Sequence, residues 1–332
     1  MSALRLILLT SMTTCLLVAC GGEQEAKTAP APTPGKPPAA NAAKTNTNTN
    51  ASAQEVAREA RGKIKCPARL QTPARAADAP VDDVVGVRPG LTYDEAANVV
   101  MCTDELMVVT LNNSRHFNIQ TYGQTIRQGM SGRIAKERVQ KTGKQIMQEM
   151  QDNAMARGTN RVVRDVLPGE SKWHVGTMGL PGEERVINAA REEWFAADRK
   201  PPIASVEKAL IDKYGTPTRT RDHGNGRMLT WAYDPFGRPI TETSPLFGAC
   251  YGNPDPDVGV NLSPDCGIVV TATVQPPRDN PELAEYMQVG VVDQAAGYAL
   301  VTSTEQAMLA QETARRAKQV EDAAKNADAP TL

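Results

Sequence analysis

The chain contains 332 residues, with 37 Lys and Arg against 38 Asp and Glu, and its formal net charge at pH 7 is -1. This balance excludes the basic excess of a nucleic-acid binder, and a mean hydropathy of -0.40 excludes a protein with many membrane spans. Aromatic residues make up 4% of the chain and first occur at Tyr93, so the first quarter cannot supply much of a hydrophobic core.

The first twenty residues have the features of an export signal. Arg5 precedes an apolar stretch of about 14 residues, which is too short to span a membrane. The stretch ends in Leu17-Val18-Ala19-Cys20, which resembles the lipobox of bacterial lipoproteins. The resemblance implies removal of residues 1–19 and acylation of Cys20. Because Gly21 follows instead of Asp, it also implies anchoring at the periplasmic face of the outer membrane. An ordinary secretory signal is the alternative.

Residues 20–63 are predicted to form a disordered tether. They are rich in Ala, Pro, Thr and Asn and contain no aromatic residue, so they cannot offset the entropy cost of ordering. A flexible chain of this length has an r.m.s. span of roughly 35 Å. Residues 53–61 have the composition of one short helix.

The cysteines indicate an oxidising compartment. Cys15 leaves with the signal and Cys20 is acylated, which leaves Cys66, Cys102, Cys250 and Cys266. An even number of cysteines in an exported chain favours two disulfides, for which three pairings exist. We favour Cys66–Cys102 and Cys250–Cys266, because the second pair closes a loop rich in Pro, Gly and Asp. A zinc site is the alternative, although the chain has no C-x-x-C pair.

Residues 64–200 are predicted to form a first α+β unit. Thr92 and Glu95 form a capping box that predicts a helix over 93–101. The other elements predicted here are strands at 106–111, 117–122, 172–178 and 184–194.

A basic insertion interrupts this first unit at about 127–164. Its apolar spacing predicts an amphipathic helix over 133–156. This helix is either a basic surface for anionic lipid or peptidoglycan, or a solvated insertion in the sheet.

Residues 201–325 are predicted to form a second unit, followed by a disordered tail at 326–332. Its predicted elements are a helix at 203–214, strands at 227–234, 267–274 and 287–292, and a long helix at 303–325. The fold class is therefore α+β: antiparallel sheet with short packing helices and a long C-terminal helix. Each unit pairs a short helix with following strands, so the pattern allows two related helix–sheet units.

Two segments resemble the small lipoprotein subunit of the outer-membrane barrel-assembly machinery. The first is Gly90-Leu91-Thr92-Tyr93-Asp94-Glu95. The second combines the turn Gly215-Thr216-Pro217 with the strand sequence Trp231-Ala232-Tyr233. This resemblance implies helices packed on a three-stranded antiparallel sheet, and a scaffolding role through protein contacts without catalysis.

The sequence contains no recognisable catalytic motif. His116, His174 and His223 lack metal-binding spacing, and the chain has neither a G-x-S-x-G elbow nor a P-loop. Residues 253–261 place oxygen-bearing side chains at alternate positions, which is typical of calcium loops. However, Val258 replaces the required Gly, so a recognition or structural loop is favoured.

The sequence thus predicts a non-catalytic lipoprotein with no cofactor and no bound metal. Its predicted partners are the lipid bilayer, through acylated Cys20, and another envelope component, which we expect to be a protein. No nucleic acid and no small-molecule substrate are inferred. Two alternatives stay open: an inhibitor or immunity lipoprotein that acts through the loop at 249–267, and an enzyme with an unrecognised site.

Overall fold

The computed structural model describes residues 50–112, 117–158 and 166–327. The predicted signal, Cys20, the tether before Asn50 and the tail from residue 328 lie outside the described residues. The elements in chain order are α1 (Ala53–Arg61), α2 (Tyr93–Met101), β1 (Met107–Leu111), β2 (Gly129–Ile134), α3 (Gly143–Gly158), β3 (Ser171–Met178), β4 (Arg185–Trp194), α4 (Ile203–Tyr214), β5 (Arg219–His223), β6 (Gly226–Ala232), β7 (Ile268–Gln275), β8 (Tyr286–Asp293) and α5 (Gln294–Asn326).

The strands form one eight-stranded sheet in the order β1-β2-β3-β4-β8-β7-β6-β5. Every neighbouring pair is antiparallel. This confirms the predicted α+β class. No helix of the described residues combines the length and the apolar character that crossing a membrane requires.

The strand order is symmetric about the central pair β4–β8. In the first half α2 is followed by β1 to β4, and in the second half α4 is followed by β5 to β8. Both helices pack into the same hydrophobic core cluster, which includes Val100 from α2, Leu210 from α4 and Trp173 from β3. The two halves therefore repeat one arrangement on a shared face of the sheet.

Helix α2 has the bounds that its capping box predicts. Thr92 Oγ1 accepts a hydrogen bond from the backbone N–H of Glu95 at 3.1 Å, and the Glu95 carboxylate accepts one from the N–H of Thr92 at 3.0 Å. The helix lies close to the sheet above Gly132, where a Cβ atom would be 2.6 Å from Val100 Cγ1. Since only glycine fits this contact, any larger residue at position 132 would push α2 away.

The opposite face of the sheet carries a second core cluster, covered by α5 and by the loop that ends at Cys266. Asp293 caps α5 by accepting from the N–H of Ala296 at 3.1 Å, so the helix begins at Gln294 and not at residue 303 as predicted. Met308 is the last hydrophobic residue of α5 that is buried. Residues 313–326 are exposed along the whole circumference of the helix.

Two predicted elements in the first half are wrong. Residues 117–122 form no strand, and the neighbour of β1 is instead β2, which lies inside the predicted basic insertion. Met130 is fully buried and Gly132 lies against Val100 of α2, so β2 places these two residues on the core face of the sheet. The helix predicted at 133–156 therefore starts only at Gly143, as α3.

The chain enters the fold through α1, beside the end of α2. The Arg61 guanidinium donates from Nη2 to the carbonyl oxygens of Asp104 at 2.6 Å and Met101 at 3.0 Å. Ala57 is buried, and Ala51 pairs with Arg138. The short helix predicted at 53–61 is thus confirmed, but the disorder predicted for 20–63 is wrong over 50–63, because this segment packs against the folded part.

Candidate ligand pocket under the disulfide-bonded loop

The four cysteines that the sequence analysis singled out form the two favoured disulfides. Cys66 joins Cys102 directly after α2, and Cys250 joins Cys266, with a Cα–Cα distance of 5.5 Å in each pair. The second disulfide is buried in the core cluster under α5. It closes a loop, residues 250–266, which we call the stapled loop. Cys20, the predicted lipidation site, lies outside the described residues.

Glycines on both partners let the stapled loop lie directly on the sheet. A Cβ atom at Gly290 of β8 would lie 2.5 Å from the carbonyl oxygen of Asn253, and one at Gly252 would lie 3.2 Å from Thr271 Oγ1. A side chain at Gly290 would push the loop backbone away, and one at Gly252 would crowd the Thr271 hydroxyl. The loop therefore lies against the backbone of β8 at Gly290 and against the Thr271 side chain of β7 at Gly252.

Side chains from the sheet and from α5 fix the stapled loop further. Gln294 Nε2 donates to the carbonyl oxygen of Tyr251 at 2.8 Å, and the buried Lys172 ammonium forms an ion pair with Asp257. Within the loop, Asn261 Nδ2 donates to Tyr251 Oη at 3.0 Å. A disulfide, close backbone contacts and these polar anchors together define one conformation of the loop.

The alternate oxygen ligands of the loop cap local turns. Asn253 Oδ1 accepts from the N–H of Asp255 at 3.0 Å, and Asp255 Oδ1 accepts from the N–H of Asp257 at 2.7 Å. In the described part of the chain, no three His, Cys, Asp or Glu side chains are grouped so that they could hold a metal ion. The loop thus uses its oxygens for its own backbone, as a structural or recognition loop does.

A polar pocket of about 410 Å³ lies between the stapled loop and β5, β6, β7 and β8. The sheet contributes Arg221, His223, Met228, Thr273 and Gln288. The loop contributes Tyr251, Gly252, Asn253, Pro254, Asp255, Val258, Gly259 and Asn261. Most of these residues offer amide, hydroxyl or charged groups, so the pocket suits a polar ligand.

Two groups in the pocket have no partner that accepts a strong hydrogen bond. Thr273 is 1% exposed, and its Oγ1 has no partner among the described residues. Leaving a buried hydroxyl unpaired costs about 1–3 kcal/mol. Such a group on a pocket wall is an available contact for a ligand.

Arg221 is the second such group. Among the described residues its guanidinium hydrogen-bonds only to the thioether sulfur of Met228, at 3.3 Å from Nε and 3.1 Å from Nη2. Sulfur is a weak acceptor, and Arg221 has no carboxylate partner among the described residues. The pocket therefore presents a cation that forms no ion pair among the described residues and a buried hydroxyl without a partner, and Asp255 lines the same pocket.

The three histidines are not brought together. His174 is buried in β3, His223 lines the pocket, and His116 lies outside the described residues. The basic segment is also dispersed: Arg133 belongs to β2, while Ile146, Met147 and Met150 of α3 are exposed. The lipid or peptidoglycan surface predicted for this segment stays a prediction.

Sequence reasoning identified the stapled loop but missed the pocket. Arg221 and Thr273 lie on different strands and about fifty residues apart, and nothing in either local sequence marks it as a pocket residue. The sheet order alone brings them together, because β5 and β7 both flank β6.

No protein-family model, curated protein or solved structure matches the chain.

Proposed function

We propose that this chain is a non-catalytic lipoprotein, anchored to the outer membrane through acylated Cys20, that binds another envelope component in the pocket under the stapled loop. The observation that carries the proposal is the fixed loop above an unpaired cation, Arg221, and an unpaired buried hydroxyl, Thr273. A preformed site with unsatisfied polar groups loses little entropy when a ligand binds.

The two disulfides and the N-terminal sequence support this proposal. Two disulfides are consistent with a location outside the cytosol, where thiols are oxidised. The lipobox-like sequence ending at Cys20 and the tether after it suit a domain held beside a membrane. The resemblance of two segments to a barrel-assembly lipoprotein points to a scaffold or assembly role.

Site-specific photo-crosslinking in living cells tests the pocket. A photoreactive phenylalanine derivative replaces Tyr251, which is 53% exposed at the pocket rim. The same derivative at Lys208, exposed on α4 at the opposite face, is the control. We expect one discrete adduct at position 251 and none at position 208. Equal labelling at both positions, or none at either, contradicts the proposal.

A matched pair of variants makes the test specific. Arg221→Ala removes the unpaired cation and is expected to reduce the adduct at position 251 at least fivefold. Arg219→Ala changes the same residue type on the same strand, but Arg219 does not line the pocket, and its Nη2 donates to the carbonyl of Phe247. Retention of the adduct in Arg219→Ala identifies the pocket as the determinant.

A second candidate function is inhibition of a toxin or hydrolase by the stapled loop. It is favoured by the exposure of two large side chains on this loop, Tyr251 at 53% and Val258 at 45%. Rigid loops with exposed side chains are suited to blocking an active site. If the adduct contains a hydrolase and the purified chain lowers its turnover, inhibition replaces scaffolding.

A further inference from the structure

An apolar cleft on the other face of the sheet is separate from the pocket proposed above. It lies between α4 and strands β4 and β8 and has a volume of about 400 Å³. Its walls include Phe195, Val206, Leu210, Met287 and Val289. A cavity with such walls favours hydrocarbon over water.

The charged side chains that line this cleft in the described structure are both cationic, Arg191 and Lys213. Their carboxylate partners are Glu193 and Asp83, at 2.5 Å and 2.8 Å, and neither carboxylate lines the cleft. The cleft thus joins an apolar interior to two ion-paired cations, and a cation that keeps an unpaired donor can still bind the anionic head of an amphiphile.

Arg191 also retains hydrogen-bonding capacity. Its one hydrogen bond runs from Nη1 to Glu193, and its Nε is buried without a partner among the described residues. The edge formed by Nε and Nη2 is the one that pairs with a planar carboxylate in a bidentate manner. A carboxylate bound there would satisfy a donor that the protein leaves unpaired.

A strained turn contributes to the lining of the cleft. Val84 and Val87 exchange two backbone hydrogen bonds, at 2.8 Å and 2.9 Å, across a turn in which Val85 has a φ of 46°. A β-branched residue rarely adopts this left-handed conformation. Val85 is nevertheless half-exposed and lines the cleft. Its side chain therefore adds apolar surface to the cleft while its backbone is strained.

We propose that this cleft binds a long-chain carboxylate with a single acyl chain. The chain lies among the apolar side chains of α4, β4 and β8, and the carboxylate pairs with the free edge of Arg191. The proposal does not depend on the polar pocket or on its partner.

A chain-length series tests the fit of the hydrocarbon. The full chain with Cys20→Ser, which carries no acyl group of its own, is titrated with octanoate to octadecanoate by isothermal calorimetry. The Kd is expected to fall about fourfold per added methylene while the cleft fills, and then to level off. Adsorption to a general apolar surface would instead strengthen without a plateau, and that result would overturn the proposal.

The carboxylate contact is tested with the alcohol of the same length. We expect the acid to bind at least tenfold more tightly than the alcohol, because a charge-assisted pair is absent for the alcohol. Arg191→Gln should abolish this difference while leaving alcohol binding within twofold. If the acid and the alcohol bind equally to the unmodified chain, no carboxylate is recognised and the proposal fails.

A variant at the mouth of the cleft tests the proposal independently of whether Arg191→Gln folds. Ala209 lines the cleft but is exposed on α4, so Ala209→Trp should block the mouth and weaken binding at least tenfold without disturbing the fold. Ala204→Trp, exposed on the same helix and outside the cleft, should bind as before. Binding of a water-soluble short-chain diacyl phosphatidylcholine as tightly as dodecanoate would assign the cleft to a membrane lipid and overturn the single-chain ligand.

Discussion

Val85 combines an unfavourable backbone conformation with an exposed side chain. It occupies the first central position of a turn whose second central residue, Gly86, has a φ of 83°, which is the pattern of a type I′ turn. Asn and Gly are the residues that this turn favours, because they tolerate positive φ. The sequence Val-Val-Gly-Val thus places a residue unsuited to the turn where it can line the apolar cleft.

Val85→Asn is expected to stabilise the protein by about 1 kcal/mol, since it relieves left-handed strain on a β-branched residue. Urea unfolding gives the free energy, and Val81→Asn, at an exposed valine without positive φ, is the control. The same variant should weaken dodecanoate binding, because it removes apolar surface from the cleft. A loss of stability would show that Val85 packing outweighs the strain.

Glu95 connects the start of α2 to the preceding loop. Burial alone would raise the pKa of its carboxyl, but hydrogen bonds from the Thr72 hydroxyl and from the N–H groups of Thr92, Thr72 and Gln71 outweigh burial. They lower the pKa from its ordinary value of 4.5 to about 2. The carboxylate therefore stabilises the fold fully above pH 4.5, and this contribution is lost as the pH falls towards 2.

Glu95→Gln is expected to lower the free energy of unfolding at pH 7 by about 2 kcal/mol, because a charged acceptor for several donors becomes a neutral one. The variant should also lose less stability between pH 4.5 and pH 2 than the unmodified chain. Denaturant titrations at several pH values measure both effects. Glu105→Gln, which makes the same substitution at an exposed carboxylate, is the control.

At the scale of elements, the stapled loop and the chain that precedes α2 are each fixed by one disulfide. The pairs Cys250–Cys266 and Cys66–Cys102 span 16 and 36 residues of sequence. The first holds the rim of the polar pocket, whereas the second holds the chain that precedes α2. They therefore provide a matched comparison between stability and binding.

Replacing both cysteines of either pair by serine should cost about 3–4 kcal/mol of folding free energy in the loop-entropy model. Only Cys250→Ser with Cys266→Ser should also abolish photo-crosslinking from position 251, because it frees the rim of the pocket. Thermal unfolding and crosslinking yield distinguish the two effects. Loss of the adduct in the variant that lacks Cys66 and Cys102 would show a global cause.

Local chemistry determined which elements the sequence predicts well. The Thr92–Glu95 capping box gave α2 its bounds, and the stop at Gly215 gave α4 its end. In contrast, β5 reads Arg-Thr-Arg-Asp-His and β2 contains two glycines and an arginine, so neither has a hydrophobic alternation. Both strands exist because neighbouring strands pair with them, and that tertiary cause is not visible in a local window.

At the scale of the whole molecule, the symmetric sheet places two different cavities on its two faces. The helices α2 and α4 cover one face, while α5 and the stapled loop cover the other. The two related units could be expected from the order of elements. Their fusion into one sheet could not, because the sequence does not specify that β4 pairs with β8.

The predicted anchor has its own test. Two or three acyl chains on Cys20 would hold the protein stably on a membrane, since each buried CH₂ contributes about 0.8 kcal/mol. We expect the chain with its own Cys20 to stay in the membrane fraction after a salt wash and the Cys20→Ala variant to be released. Cys15→Ala, in the predicted signal, should behave like the unmodified chain. An unmodified thiol in mass spectrometry of the mature N-terminus would contradict the anchor.

The charged side chains of the edge strand β5 affect whether copies of the protein can associate through this edge of the sheet. Four of its five residues, Arg219, Arg221, Asp222 and His223, carry ionisable side chains. Charged side chains on a short edge discourage strand addition by another molecule. Proteins confined to two dimensions meet far more often than the same number in bulk solution, so an apolar edge would promote fibrous self-association. For the proposed membrane-anchored chain, the polar character of β5 therefore disfavours pairing between neighbouring copies at this edge of the sheet.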